Sequence, residues 1–400
     1  MVNMVMDYAN IIDNGAYSIK IGTSVENDPK TIPNCIMKAK SERRRPFIGD
    51  QIEECRDASG LFYILCFQRG YLVNWDVQKT VWDYAFSKSC ASVDFSRPTI
   101  ITEPQFNFTS IQEAMTEIFF EEFECETLLR TTAADLAYEN YAATKELQAP
   151  HCCIIIDMGY SFTHIIPFVK GERVKQAIRR IDVGGKVLTN HLKEIISYRQ
   201  LNVMDESYVI NQVKEDSCYV SQNFYADMEV AKKRFPDNSI VREYVLPDFT
   251  SIKRGFLREP VAGKPADDQQ TLRLTNERFT IPELLFHPSD VGIRQMGLSE
   301  AIFDACKSCP EKALGHLLPN IVCIGGCAMF PGMAERLKKD VRALAPDYID
   351  VAVTVPKNPI SYAWHGGKIL SQQENFLAKC MTREQYEEEG VRGVTEKFAI

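Results

Sequence analysis

The chain has 400 residues, of which 45% are hydrophobic and 25% charged, and its formal net charge is −8. This length is sufficient for two or more domains with sizeable cores. The acidic balance argues against a protein that binds nucleic acid over its whole surface. No apolar run approaches membrane-spanning length and no basic-then-hydrophobic leader is present, so we expect a cytosolic or nuclear protein without membrane contact. Thirteen cysteines, an odd number without small-scaffold spacing, indicate free thiols in a reducing compartment.

The first element is a short apolar strand that runs into a turn at Asp13-Asn14-Gly15, with Lys20 on the strand that follows. Glycine lets the backbone turn with its N–H groups exposed, as an anion-binding nest requires. A carboxylate beside such a nest can hold a hydrated divalent cation against a phosphate. The segment is therefore a candidate phosphate turn, although an isolated Asp-x-Gly is more often an ordinary hairpin turn.

The most basic window of the chain lies at residues 38–45 and includes Arg43, Arg44 and Arg45. Such a cluster is typical of a nuclear localisation signal or of a nucleic-acid contact. A solvated surface loop explains the same composition, so the sequence leaves these readings open.

Two segments further along carry local signals. The strand at 99–103 ends in Glu103 before a proline, and this carboxylate is either a catalytic acid or a structural group. A single carboxylate in that position is more often structural. Ser110, followed three residues later by Glu113, predicts a capping box at the start of a helix.

The strand–turn arrangement returns in the middle of the chain. Three β-branched residues at 154–156 predict a buried strand, which ends in Asp157-Met158-Gly159. A third version occurs where the strand at 321–324 runs into Gly325-Gly326. Together these turns predict a duplicated α/β architecture, in which strand ends converge on one ligand in a cleft between the halves.

A glycine pair at 184–185, followed by Lys186, precedes an amphipathic helix and looks like the end of a Walker loop. Arg180 stands where the first glycine of that loop is needed, so the segment is not a P-loop. The glycines still allow a close backbone approach to a ligand at the helix N-terminus, where the dipole favours phosphate. Among six scattered histidines, only His164, seven residues after Asp157, is a candidate for the same site.

Taken together, these motifs resemble those of actin and the actin-related proteins along nearly the whole chain. The turn at 13–15 with Lys20 is similar to the first phosphate clasp of actin, and the turn at 157–159 is similar to the second. The resemblance implies an α/β actin-like fold, which is a duplicated ribonuclease-H-like (ASKHA) fold with two lobes of two subdomains each around a nucleotide cleft. It also implies the residues that a bound nucleotide would contact: Asp13, Gly15, Lys20, Asp157, Gly159, Thr163, Gly185, Lys214, Glu215, Gly325, Gly326, Met329 and Phe330.

The resemblance divides the chain into subdomains as follows: subdomain 1 at 1–31, 68–146 and 358–400, subdomain 2 at 32–67, subdomain 3 at 147–183 and 276–357, and subdomain 4 at 184–275. Subdomain 2 carries the basic loop, which is shorter than the filament-contacting loop of actin. We therefore do not expect a filament former.

The phosphate turns depart from the pattern of actin. Ala16 and Tyr17 stand where actin has a serine and a glycine, and Tyr160 and Ser161 stand where it has an aspartate and a glycine. Two tyrosines remove a donor, add bulk and restrict the backbone. We expect a misshaped phosphate site.

The catalytic positions depart as well. Ala133 replaces the glutamine with which actin positions its attacking water, and His164 is retained without that partner. A methyl group cannot orient water, so we expect no catalytic residue and negligible hydrolysis. ATP or ADP with Mg would bind as a structural ligand, and Asp13 and Asp157 would hold the metal through water.

Within the family, the stretches at 159–164, 190–199 and 245–249 resemble one nuclear branch of the actin-related proteins. That resemblance implies a non-catalytic subunit of an ATP-dependent chromatin remodelling complex that exchanges a conventional core histone for its Z-type variant. Implied partners are the motor ATPase, a zinc-HIT subunit, both histone types, nucleosomal DNA and heterochromatin protein 1. The implied location is the nucleus, with a cytoplasmic fraction. The alternative is a cytosolic ASKHA-fold ATPase or phosphotransferase.

Overall fold

The computed structural model describes residues 8–398 except 43, 146–151 and 261–268. Within those residues it contains twenty strands and thirteen α-helices. The strands are β1 Asn10–Asn14, β2 Ser18–Thr23, β3 Lys30–Pro33, β4 Cys35–Lys38, β5 Pro46–Ile48, β6 Phe62–Leu65, β7 Phe67–Gln68, β8 Tyr71–Leu72, β9 Thr99–Glu103, β10 Thr127–Thr132, β11 Cys153–Met158, β12 Thr163–Val169, β13 Glu172–Arg173, β14 Arg179–Ile181, β15 Arg242–Val245, β16 Phe256–Arg258, β17 Thr271–Leu274, β18 Ile321–Ile324, β19 Val353–Thr354 and β20 Met381–Thr382.

The helices connect and cover these strands. They are α1 Trp75–Phe86, α2 Thr109–Glu117, α3 Ala133–Thr144, α4 Gly185–Arg199, α5 Ser207–Ser217, α6 Phe224–Ala231, α7 Glu277–Glu283, α8 Leu298–Lys307, α9 Leu314–Leu317, α10 Met333–Leu344, α11 Tyr362–Ser371, α12 Phe376–Lys379 and α13 Arg383–Lys397. No helix in the described part of the chain is long and apolar enough to cross a membrane.

The first large sheet has the strand order β20-β10-β9-β1-β2-β3. Its centre is β1, which pairs antiparallel with β2 and parallel with β9. All five residues of β1 are buried, which is typical of a strand covered on both faces. The antiparallel register places Asp13 opposite Lys20 at the end of the hairpin.

The second large sheet repeats this plan. Its central strand β11 pairs antiparallel with β12 and parallel with β18, and the order is β13-β12-β11-β18-β19, with β14 also on β12. Asp157 occupies the place on β11 that Asp13 occupies on β1. The predicted duplication and the α/β class are thereby confirmed.

Helices α3 and α11 lie between the two sheets and cross very closely. A Cβ atom on Gly366 of α11 would lie 1.7 Å from the carbonyl oxygen of Leu136 on α3, so no other residue fits there without moving the helices. Leu136 belongs to the core of the first sheet, whereas Tyr138 and Tyr141 of the same helix pack with β11 and β12. The indole N–H of Trp364 donates to the Ile11 carbonyl at 3.2 Å.

Two smaller sheets complete the fold. Strands β5, β4 and β6 form one of them, within residues 32–67, and β16, β15 and β17 form the other, within residues 184–275. The first encloses a small core that contains Met37, Phe47 and Leu61. Tyr208 and Phe249, from the far side of the cleft, pack against that core. The predicted subdomain boundaries remain a prediction.

The capping box at Ser110 is wrong. Helix α2 begins one residue earlier, at Thr109, and its N-cap Phe108 has no capping side chain.

The acidic segment at 386–390 belongs to α13, and the ring of Tyr386 stacks on Phe120 at 4.7 Å. Tertiary packing therefore fixes α13 at Tyr386.

Glu103 is held in a buried ion pair. Its carboxylate lies 2.7 Å from Nε of Arg130, and both side chains are 1% exposed. Asn107 and Gln112 also donate to the carboxylate, while Arg130 donates to the hydroxyl of Thr116 and to the carbonyl of Gln112. All of these hydrogen bonds are made within the protein, so Glu103 is a structural residue. The sequence favoured this role for a single carboxylate before a proline.

We expect Arg130→Met to lower the free energy of unfolding by about 3–5 kcal/mol, because it leaves the Glu103 carboxylate buried without its cation. Arg392→Met is the matched control, since the pair of Arg392 with Glu396 on α13 is exposed and should contribute little. Urea titrations of both variants measure the difference. A midpoint for Arg130→Met equal to that of the parent would contradict the structural role.

Candidate functional site

The first turn brings an acid and a base together. The Asp13 carboxylate lies 3.2 Å from Nζ of Lys20, because the β1–β2 register places them opposite each other. The hydroxyl of Thr102, from the end of β9, donates to the other oxygen of Asp13 at 2.8 Å. Three strands therefore fix the orientation of this carboxylate.

Asp157 lies on the other side of the cleft, at the end of β11. Desolvation and the negative charge of Asp13 raise the pKa of Asp157 to about 6, and Lys20 opposes this shift. The two predicted metal-binding carboxylates are thus close enough to repel each other, and a hydrated divalent cation between them would relieve the repulsion. No set of three or more His, Cys, Asp or Glu side chains in the described residues is arranged to hold a metal ion. Water would therefore have to complete the coordination, and metal binding through Asp13 and Asp157 remains a prediction.

A buried amide network supports the first turn from behind. The side-chain amide of Asn34 donates to the Asn14 side chain at 3.2 Å and to the Gly15 carbonyl at 3.0 Å. Gln78 exchanges hydrogen bonds with Asn34, and the indole of Trp82 donates to Asn14. Sequence reasoning missed this network, since its members are up to 68 residues apart and no local pattern links them.

The second turn is bound by the glycine pair. The N–H of Gly185 donates to the Gly159 carbonyl at 3.1 Å, and the N–H of Lys186 donates to the Tyr160 carbonyl at 2.9 Å. A Cβ atom on Gly184 would lie 2.6 Å from that Tyr160 oxygen. These glycines therefore allow a close approach to the second turn. The contact of Gly185 with nucleotide remains a prediction.

Lys214 on α5 is fully engaged within the protein. Its ammonium donates to the Gly185 carbonyl at 3.2 Å, to the Thr189 hydroxyl at 2.9 Å and to the Asn211 side chain at 2.8 Å. Three acceptors match its three protons. Glu215, the other predicted base-flanking residue, is exposed and accepts from Asn211 at 2.7 Å.

The two unusual tyrosines meet across the cleft. The rings of Tyr17 and Tyr160 lie 5.0 Å apart between centroids, at 39°. The side-chain amide of Asn211 donates to the Tyr17 hydroxyl at 3.2 Å. Desolvation raises the pKa of Tyr160 to about 12, and desolvation together with Glu215 raises the pKa of Tyr17. Both phenols are therefore neutral at physiological pH. Tyr160 is partly buried, whereas Tyr17 is 47% exposed beside the phosphate turns.

His164 is enclosed by aromatic rings. It is 1% exposed and lies 4.2 Å from the ring of Phe162 and 5.9 Å from that of Phe106. Desolvation and the charge of Arg180 lower the pKa of His164 to about 3, so the imidazole is neutral. Its Nε2 finds no hydrogen-bond partner in the described part of the chain. Ala133 begins α3 and offers only a methyl group.

The remaining predicted contacts are mixed. Thr163 donates to the Val183 carbonyl at 3.0 Å. Gly325 has a φ of +87°, and a Cβ atom there would lie 2.5 Å from the Met158 carbonyl, so glycine is required where β18 meets the second turn.

Phe330 is buried in the core of the second sheet, whereas Met329, which follows Gly326 in a 3₁₀ turn, is exposed.

The basic window is partly neutralised. Arg43 lies outside the described residues. Arg45 pairs with Glu54 and lies 4.9 Å from the Phe47 ring, and Lys40 pairs with Asp205 at 3.4 Å. Whether this loop contacts DNA or directs nuclear import stays a prediction.

Comparisons with known proteins agree with this geometry. Residues 7–399 match the family model described as Actin. The chain belongs to the actin family. It is 54% identical over 394 residues to Actin-related protein 6 of Drosophila melanogaster, which covers 97% of this chain and 98% of that protein. It is 37% identical to Actin-like protein ARP6 of Yarrowia lipolytica and 34% identical to Actin-related protein 6 of Arabidopsis thaliana, again over nearly full lengths. The predicted resemblance is confirmed.

The burial of neutral His164 predicts a pH dependence for this actin-related protein. Its pKa in the folded state lies below the unfolded value of 6.5, so the unfolded chain binds more protons between about pH 6.5 and about pH 3. The stability contribution is complete above pH 6.5 and is lost as the pH falls through that window. From pH 7 to pH 4, the parent should lose about 3 kcal/mol more unfolding free energy than His164→Leu. Equal losses in the two proteins would mean that His164 is not desolvated.

Proposed function

We propose that this protein is a non-catalytic subunit of an ATP-dependent chromatin remodelling complex, in which it supports exchange of a conventional core histone for its Z-type variant. The observation that carries the proposal is the actin-family fold with tyrosines on both phosphate turns. The fold is retained, but its phosphate turns carry tyrosines. Such a protein is suited to bind partners through its outer surface rather than to catalyse a reaction. The stretch at 159–164, which includes Tyr160, also belongs to the segments that resemble the nuclear branch.

The lack of catalysis is part of the proposal. Ala133 cannot position water, and His164 is neutral and surrounded by aromatic rings. A nucleophilic water that is neither oriented nor deprotonated reacts slowly, whatever holds the phosphates. ATP or ADP with Mg, if bound, is then a structural ligand with Asp13 and Asp157 on the metal side.

The proposed partners are the motor ATPase, a zinc-HIT subunit, both histone types and nucleosomal DNA within the complex, with heterochromatin protein 1 as a further chromatin partner. The proposed location is the nucleus, with a cytoplasmic fraction. The protein is not proposed to form filaments, since the loop at 38–47 is short and its charges are partly paired internally.

A cytosolic ASKHA-fold ATPase or phosphotransferase is the second candidate. One observation favours it, because the pKa of Asp157 is raised to about 6, which suits a general base near neutral pH. Against it, Asp13 is paired with Lys20, and the turn beside Asp157 is occupied by Tyr160.

Native size distinguishes the two candidates. We expect the endogenous tagged protein, extracted gently from nuclei, to elute in a very large assembly that contains a motor ATPase and the Z-type histone. Mass spectrometry of the co-eluting proteins, with an untagged strain as control, identifies the partners. Elution at the mass of the single chain, 45.5 kDa, would contradict the subunit proposal and favour an enzyme.

Restoring the water-positioning side chain should not restore hydrolysis. We expect Ala133→Gln to release phosphate from Mg-ATP no faster than the parent, because Tyr17 and Tyr160 still occupy the phosphate side of the cleft. Single-turnover phosphate release, with muscle actin as positive control, measures this. Hydrolysis by Ala133→Gln at the rate of actin would show that the tyrosines do not obstruct the site.

A further inference from the structure

Side chains cross the cleft between the two lobes at several levels. The first lobe is defined here as the first large sheet with β4–β8, and the second lobe as the second large sheet with α4, α5 and β15–β17. Among the contacts of the described residues that join them, three groups lie along the cleft.

The innermost contact joins the second turn to the β7–β8 hairpin. The ring of Phe162 lies so close to Gly70, which has a φ of +80°, that a Cβ atom there would be 1.7 Å from the ring. Arg180 lies 4.5 Å from the same ring and donates to the Tyr71 hydroxyl at 2.8 Å. Arg180 and Phe162 belong to the second lobe, so this layer is both a packing contact and a polar contact between lobes.

The outermost contact closes the mouth of the cleft. The backbone N–H of Gly60, beside the small core of β4–β6, donates to both carboxylate oxygens of Glu206 at 3.0 and 3.1 Å. Glu206 is the N-cap of α5 on the second lobe. Tyr208 of the same helix packs on the core of the opposite lobe.

The third contact is made by Tyr17, whose side chain is 47% exposed. It extends from the first turn on the first lobe to Tyr160 and Asn211 on the second, with a ring contact at 5.0 Å and a hydrogen bond at 3.2 Å. Asn211 is itself fixed by Lys214 and Glu215, so the Tyr17 hydroxyl meets an oriented donor. This is the same part of the cleft in which the backbone donors of residues 185 and 186 are already used.

We propose that Tyr17 is an internal ligand that ties the two lobes together in place of a bound nucleotide, so that the closed cleft is the resting state of the free chain. A nucleotide that reaches the phosphate turns must displace Tyr17 from Tyr160 and Asn211. Nucleotide binding and the Tyr17 bridge are then mutually exclusive. The apparent nucleotide affinity is therefore the intrinsic affinity multiplied by the fraction of molecules in which the bridge is not formed. This inference concerns the cleft alone and holds whether or not the chain is a remodelling subunit.

Amide hydrogen exchange on the full chain, purified with EDTA and without nucleotide, tests the proposal. In the parent, the segments 14–20, 57–61 and 159–163 should be protected. In Tyr17→Ser they should exchange about tenfold faster, because both the ring contact and the hydrogen bond are lost. Tyr17→Phe keeps the ring and should show a smaller increase. Tyr198→Ser, at a tyrosine that is 92% exposed on α4, is the matched control and should behave as the parent.

A second measurement stands even if Tyr17→Ser does not fold. Adding Mg-ADP to the parent should leave exchange in the three segments unchanged, and Tyr17→Phe should bind Mg-ADP more tightly than the parent in calorimetric titration. Slowing of exchange in the parent by about tenfold on adding Mg-ADP would show that nucleotide closes the cleft, and would overturn the proposal. Equal exchange in the parent and Tyr17→Ser would overturn it too.

Discussion

Helices α3 and α11 cross where Gly366 lies against the carbonyl of Leu136, at a distance that admits no Cβ atom. The rest of the molecule depends on this crossing, because α3 packs on both large sheets and so sets how the two lobes meet. With the crossing fixed, the ends of β1 and β11 face each other, and Asp13 and Asp157 become neighbours although they come from different sheets. The electrostatics of the cleft follow from a packing constraint at its base.

The same geometry explains how a cleft of the actin family can lose catalytic activity while the arrangement of its two lobes is retained. The backbone N–H groups of Gly185 and Lys186 are bonded to the second turn, and a tyrosine pair lies beside the phosphate turns. His164 remains, but burial among aromatic rings keeps it neutral and without a partner in the described residues. A lobe arrangement held by the chain's own side chains presents constant outer surfaces, as a proposed subunit of a large assembly requires.

Local patterns gave the strand–turn units and hence the duplicated architecture, because buried β-branched strands and Asp-x-Gly turns are encoded within a few consecutive residues. They did not give the contacts that join the lobes. Tyr17 and Asn211 are 194 residues apart, and Gly60 and Glu206 are 146 apart, so neither pair has a sequence signature. The glycine pair before α4 predicts a close backbone approach, but a glycine pattern does not identify the partner. In the structure Gly184 lies against Tyr160 of the second turn, and a contact of Gly185 with nucleotide stays a prediction. The capping box at Ser110 was wrong, because the helix starts at Thr109 with Phe108 as its N-cap.

A crystal structure of the full chain, purified without nucleotide and crystallised in EDTA, tests the central claim most directly. The account predicts closed lobes, with the Tyr17 hydroxyl within hydrogen-bond distance of Asn211 and its ring against Tyr160. Lobes rotated apart, with Tyr17 turned into solvent, would contradict it. That result would mean that a bound nucleotide is needed to close the cleft.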